Sequence, residues 1–113
     1  MAEQKHPLFK TRGVPGTHDI NLIKNFFVNI KKKKFKSLIL PKFNKSLDDR
    51  SQKKHWHKIH KKPDIVILEG WCVGAKHQSN TLLKKPINDL EKKEDQYLIW
   101  RNFVNEKLKN EYK

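Results

Sequence analysis

A single cysteine, Cys72, is present in this chain of 113 residues, so no internal disulfide can form and a reducing, cytoplasmic setting is the expectation. Glycine is scarce as well. The four glycines, Gly13, Gly16, Gly70 and Gly74, nowhere make G-x-x-x-x-G-K-[ST], whose backbone amides cradle nucleotide phosphates. No run of about 18 apolar residues occurs, which excludes a membrane-spanning helix. The opening MAEQKHPLFK lacks the apolar stretch of a secretory signal. Arginine supplies only Arg12, Arg50 and Arg101 of the 26 basic residues.

What is abundant is lysine. With 12 acidic residues the formal charge is +14, and such an excess points to nucleic acid or an anionic surface. Sites that read phosphates or bases rely on arginine forks, however, and the lysines here are spread from Lys5 to Lys113. Solvated lysine-rich faces explain the same charge. A small basic protein that binds nucleic acid non-specifically, with no enzymatic activity, is therefore the alternative function. Hydrophobic residues at 35% allow a modest core in at most one domain.

Along the chain, residues 1–18 read as loop, with Pro7, Gly13, Pro15 and Gly16. Ile20, Ile23, Phe27 and Ile30 recur at helical spacing, with Asp19 or Thr17 able to cap the start, and predict a helix running into Lys31–Lys34. Ser37–Leu40 is a short strand stopped by Pro41, and residues 41–62 read as a long polar loop. Asp64-Ile65-Val66-Ile67-Leu68 has the continuous apolar pattern of a parallel strand buried on both faces. After a second loop, a long helix is expected from Asn88, with Tyr97, Trp100, Val104 and Leu108 as its apolar stripe. The order helix, strand, long loop, strand, long helix is α/β. Two strands are too few for a stable parallel sheet, so the chain reads as part of something larger.

Three stretches concentrate chemistry. Glu69 and Gly70 follow the apolar run, placing a carboxylate at the sheet edge where α/β folds bind ligands and where an acid holds Mg²⁺. Arg12–Asp19 (RGVPGTHD) is a tight turn into a helix start whose N–H groups favour an anion. Pro41–Arg50 combines bases, acids and hydroxyl or amide groups, and Arg50 could grip a carboxylate or phosphate with two bonds. Each also has a plain structural explanation: a strand end, a capped helix, a solvated loop. The histidines His55, His57, His60 and His77 with Cys72 match no common structural zinc spacing.

Taken together, HPLFKTRGVPGTHD, LPKFNKSLDDR, DIVILEGWCVGAKHQ, INDLE and WRNFVNEKL, in that order from His6 to Tyr112, resemble the middle of the D-glycerate 3-kinase group of P-loop kinases. This resemblance implies a parallel-sheet kinase fold that uses ATP and Mg²⁺ to phosphorylate a hydroxyl of a small acid such as D-glycerate. By position it implies catalytic roles for Glu69, which would hold Mg²⁺ directly or through water, and for Arg50. It implies substrate-binding roles for Arg12, His18, Asp19, Lys45 and Asp49. Asn44 stands where the group more often has Asp. Because the P-loop and the acidic segment that follows it do not occur, no cofactor-binding residues are assigned. The expectation is a single incomplete domain over residues 1–113, an internal kinase segment, inactive alone, with a complementary kinase fragment as a partner.

Overall fold

The computed structural model describes residues 5–10 and 12–112; the parts of the loop reading that fall on residues 1–4 and 11 lie outside the described residues. The chain divides into two compact units, Asp19–Ile67 and Met1–His18 with Leu68–Lys113.

In the Asp19–Ile67 unit, helix α1 spans Ile20–Lys31. Of the two caps the sequence offers, it is the Asp19 carboxylate that serves, accepting the Leu22 N–H at 3.3 Å. The helix stops at Lys31, because Lys32 turns to an extended backbone. Strand β1 (Leu38–Leu40) ends before Pro41. Beyond it lie β2 (Phe43–Asn44), β3 (Asp49–Arg50) and β4 (His57–Ile59). β1 pairs antiparallel with β4, Leu38 opposite Ile59, and β2 pairs antiparallel with β3, Phe43 opposite Arg50. Residues 41–62 are thus two nested hairpins and not the long loop expected. The Asn44 side-chain oxygen closes the inner turn by accepting the Ser46 N–H (3.0 Å) and hydroxyl (2.7 Å). The outer return is pinned by the Trp56 indole N–H, which donates to the Ser51 carbonyl at 2.7 Å.

The expected parallel sheet is a correction. Both ladders are antiparallel among the described residues, and the Asp64–Leu68 run joins neither. Ile65 is 80% and Ile67 86% exposed. A parallel neighbour must arrive by a crossover of about a dozen residues or more. Here the chain between β1 and the run reverses tightly instead, and tight reversals deliver antiparallel pairs. The fold is mixed α and β with small antiparallel sheets.

In the other unit, Pro7–Lys10 form a 3-10 turn that buries Phe9 edge-on to Phe103, ring centres 4.8 Å apart. Helix α2 (Asn80–Lys84), capped by Ser79, occupies part of a stretch read as loop. Helix α3 (Asp89–Glu94) begins where expected, with Asn88 accepting the Glu91 N–H at 2.9 Å. It does not continue. The chain breaks at Asp95 and passes through Leu98 in the left-handed region (φ 62°), and α4 runs from Ile99 to Asn110. Asp95 causes the break: its carboxylate accepts the N–H groups of Trp100 (2.8 Å) and Arg101 (3.0 Å), capping a second helix start. Tyr97 falls in the connection, 84% exposed, and leaves the expected stripe.

The interior of this unit is unusually polar. Arg101, 6% exposed, donates from Nε to Asp95 (3.0 Å) and to the carbonyls of Leu83 and Asp95 (2.9 Å each), with Glu91 at 3.7 Å. Asn105 exchanges two hydrogen bonds with the Gln78 backbone, at 2.7 and 3.0 Å, as a neighbouring strand would. Buried polar groups that are all paired specify one arrangement of their elements. No helix among the described residues is long and apolar enough to cross a membrane.

Candidate functional site

The sequence-predicted residues fall in both units. In the Asp19–Ile67 unit the fold brings three of them together. Arg50 Nη1 lies 2.8 Å from Asp19 Oδ2, and the Asp49 carboxylate accepts the Arg50 backbone N–H at 2.6 Å. The β2–β3 ladder fixes Arg50, and the α1 cap fixes Asp19. Both side chains are about half exposed, and such surface pairs contribute at most about 1 kcal/mol. An incoming carboxylate or phosphate can therefore compete with Asp19 for the guanidinium at little cost. Lys45 sits exposed in the turn between β2 and β3. The helix mouth expected to attract an anion already has one, since the Asp19 carboxylate occupies it.

In the other unit, His18 closes a chain of hydrogen bonds. The Gly16 N–H donates to the Tyr112 hydroxyl (3.1 Å), and the hydroxyl lies 2.6 Å from His18 Nδ1. The hydroxyl can donate to Nδ1 or accept from Nδ1–H, according to the imidazole tautomer. Burial pushes the His18 pKa below its ordinary value. Burial likewise raises that of Tyr112, against the lowering by the Gly16 N–H. Thr17 knits the same turn, accepting the Gly13 N–H (3.0 Å) and donating to the Val14 carbonyl (2.8 Å). Arg12 is exposed on this turn.

Glu69 is exposed and follows an unpaired extended segment, not the end of a ladder strand. Its side chain has no hydrogen bond or ion pair among the described residues. Mg²⁺ keeps several waters and takes one or two carboxylates beside substrate phosphates, so a single open carboxylate fits as one of its ligands. The phosphates of ATP do not find a cradle here. Gly13 and Gly16 have positive φ, but a Cβ would lie 2.9 Å from the Trp71 ring at Gly13 and 2.6 Å from the Phe103 ring at Gly16. These glycines make room for aromatic rings, and their N–H groups are already bonded, that of Gly13 to Thr17 Oγ1 and that of Gly16 to the Tyr112 hydroxyl.

Sequence reasoning missed Tyr112, Asp95 and Arg101. Tyr112 meets His18 across 94 positions, which leaves no local signal.

No protein-family profile matches the chain, and no solved structure matches it significantly. Two curated proteins are similar to it. One is "Probable ATP-dependent kinase TDA10" of Saccharomyces cerevisiae, 32% identical over 88% of this chain and 39% of its own length. The other is "Uncharacterized kinase mug58" of Schizosaccharomyces pombe, 31% identical over 69% of this chain and 30% of its own. The similarity supports a kinase relationship. The chain spans well under half the length of either relative, and neither name gives an acceptor.

Proposed function

We propose that this chain is an internal segment of an ATP- and Mg²⁺-dependent kinase that phosphorylates a hydroxyl of a small acid, with D-glycerate the first candidate, in the cytoplasm. The observation that carries the proposal is the similarity to an ATP-dependent kinase over 88% of the chain. The motif order that resembles the D-glycerate 3-kinase group supports the choice of acceptor. Glu69 supplies one oxygen ligand to Mg²⁺. Arg50 exchanges Asp19 for the anion of the substrate. His18, Arg12, Asp19, Lys45 and Asp49 are assigned to the substrate. The phosphate cradle comes from a complementary kinase segment, because phosphoryl transfer depends on positioning and charge stabilisation and this chain has no P-loop.

An ADP-release assay with ATP, Mg²⁺ and D-glycerate tests this. The chain alone is expected to be silent, and addition of a P-loop-bearing segment from either fungal relative is expected to restore turnover. Arg50→Ala then lowers that turnover by about a hundredfold. Turnover by the chain alone would overturn the need for a complement. A complemented protein that phosphorylates other small hydroxy acids but not D-glycerate would overturn the acceptor.

A further inference from the structure

Charge is divided unequally between the two units. Asp19–Ile67 holds 13 lysines and Arg50 against four acids, Asp19, Asp48, Asp49 and Asp64, a net +10 in 49 residues. The other 64 residues hold 12 basic and eight acidic residues, a net +4. None of the 13 lysines is ion-paired among the described residues, whereas Asp19 is already taken by Arg50. Like charge at this density destabilises a small unit through self-repulsion, and a polyanion relieves it. The nested hairpins also leave an open concavity of about 720 Å³, wholly within this unit. Lys42, Lys45 and Lys54 line it with Phe43 and Leu47, and no acidic residue does. All three lysines are exposed, and so are Phe43 (41%) and Leu47 (72%), so cations stand beside accessible apolar surface. The β2–β3 ladder holds Phe43 in place opposite Arg50.

We propose that the Asp19–Ile67 unit binds single-stranded nucleic acid, seating a base against Phe43 in this concavity and the flanking phosphates at Lys42 and Lys54. Three features select this class of ligand. The lining cations answer phosphate, and the aromatic ring offers a stacking surface. The unit's other lysines, Lys31–Lys34 among them, lie outside the concavity, where a strand can reach them and a lone nucleotide cannot. Stacking on one ring accepts any base, and lysine is a point charge without the arginine fork, so binding is tolerant of sequence. A duplex keeps its base faces stacked inside and meets only the charge. The kinase proposal is not used in this argument, so the two stand or fall separately.

Fluorescence anisotropy of the full chain with a labelled short oligo-dT strand tests this, with an abasic strand of the same length as control. The abasic strand keeps every phosphate and lacks the bases. Oligo-dT is expected to bind about tenfold more tightly than the abasic strand, the scale of one stacked base. Phe43→Leu should cost oligo-dT about that factor and leave the abasic strand unchanged. The double variant Lys42→Gln, Lys54→Gln should weaken both strands and reduce the slope of log affinity against log salt by about 0.7 per lysine. Lys45 is kept, because it is assigned to the kinase substrate. Far-UV dichroism checks that each variant keeps its fold. If Phe43→Leu does not, the abasic comparison on the parent and the lysine pair decide, because both lysines are exposed. Equal binding of oligo-dT and the abasic strand, or an unchanged salt slope in the double variant, overturns the proposal. So does equally tight binding of thymidine monophosphate, since a strand would then not be the ligand.

Discussion

Asp95 is 1% exposed and still holds its charge, because the fold surrounds it with donors. Burial pushes its pKa up, but the N–H groups of Trp100 and Arg101 and the Arg101 guanidinium outweigh that and hold it below the ordinary carboxyl value. The sign for stability follows. The unfolded chain takes up this proton first, so the stabilisation is complete above about pH 4 and is lost as pH falls through the folded value. His18 acts at higher pH in the same direction. Burial lowers its pKa, so stability is full above about pH 6.5 and declines as the unfolded chain protonates below that. Urea melts from pH 7.5 to 3 should therefore show stability falling in two stages. Asp95→Asn should remove the acid stage and, at neutral pH, lower stability by roughly 1–3 kcal/mol, since an amide cannot serve every donor around it. A variant that still loses as much stability as the parent between pH 5 and 3 would show that Asp95 is not the titrating group.

Helix caps were legible in the sequence at Asp19 and Asn88, because a cap acts on N–H groups two or three positions along and its signal is local. Asn88→Ala should lower stability by about 1 kcal/mol in denaturant melts, and an unchanged midpoint would remove the cap's assigned role. The division of the expected long helix into α3 and α4 was not legible in the same way. The apolar spacing continues across Asp95, and only the placement of Arg101 against Asp95 and Leu83 makes a second start there favourable. The nested hairpins were hidden for a related reason. Leu38 pairs with Ile59, across 21 positions, in three-residue strands too short to show alternation.

For the whole molecule the dominant quantity is the +14 charge, carried almost entirely by lysine. If these lysines are solvated faces, duplex DNA should bind only at low salt, with log affinity falling linearly against log salt concentration, and binding should vanish near 150 mM. Retention of tight binding at that salt would favour the nucleic-acid alternative. Few large apolar side chains are buried among the described residues: Phe9 and Leu83 in one unit and Leu38 in the other. In the unit that holds Arg101, Trp71, Val73 and Ile87 stay exposed, so the buried polar network around Arg101 holds that unit together to an unusual degree.

By itself the sequence determined the charge, the single thiol, the missing phosphate loop, α1 with its cap, the start of α3, and the motif order that led to kinases. These depend on composition or on neighbours within one helical turn. It could not determine strand direction, the fate of the Asp64–Leu68 run, or the meetings of Arg50 with Asp19 and of His18 with Tyr112. Those belong to the tertiary structure, because which distant groups satisfy one another is decided only when the chain closes on itself and every buried donor must find its acceptor.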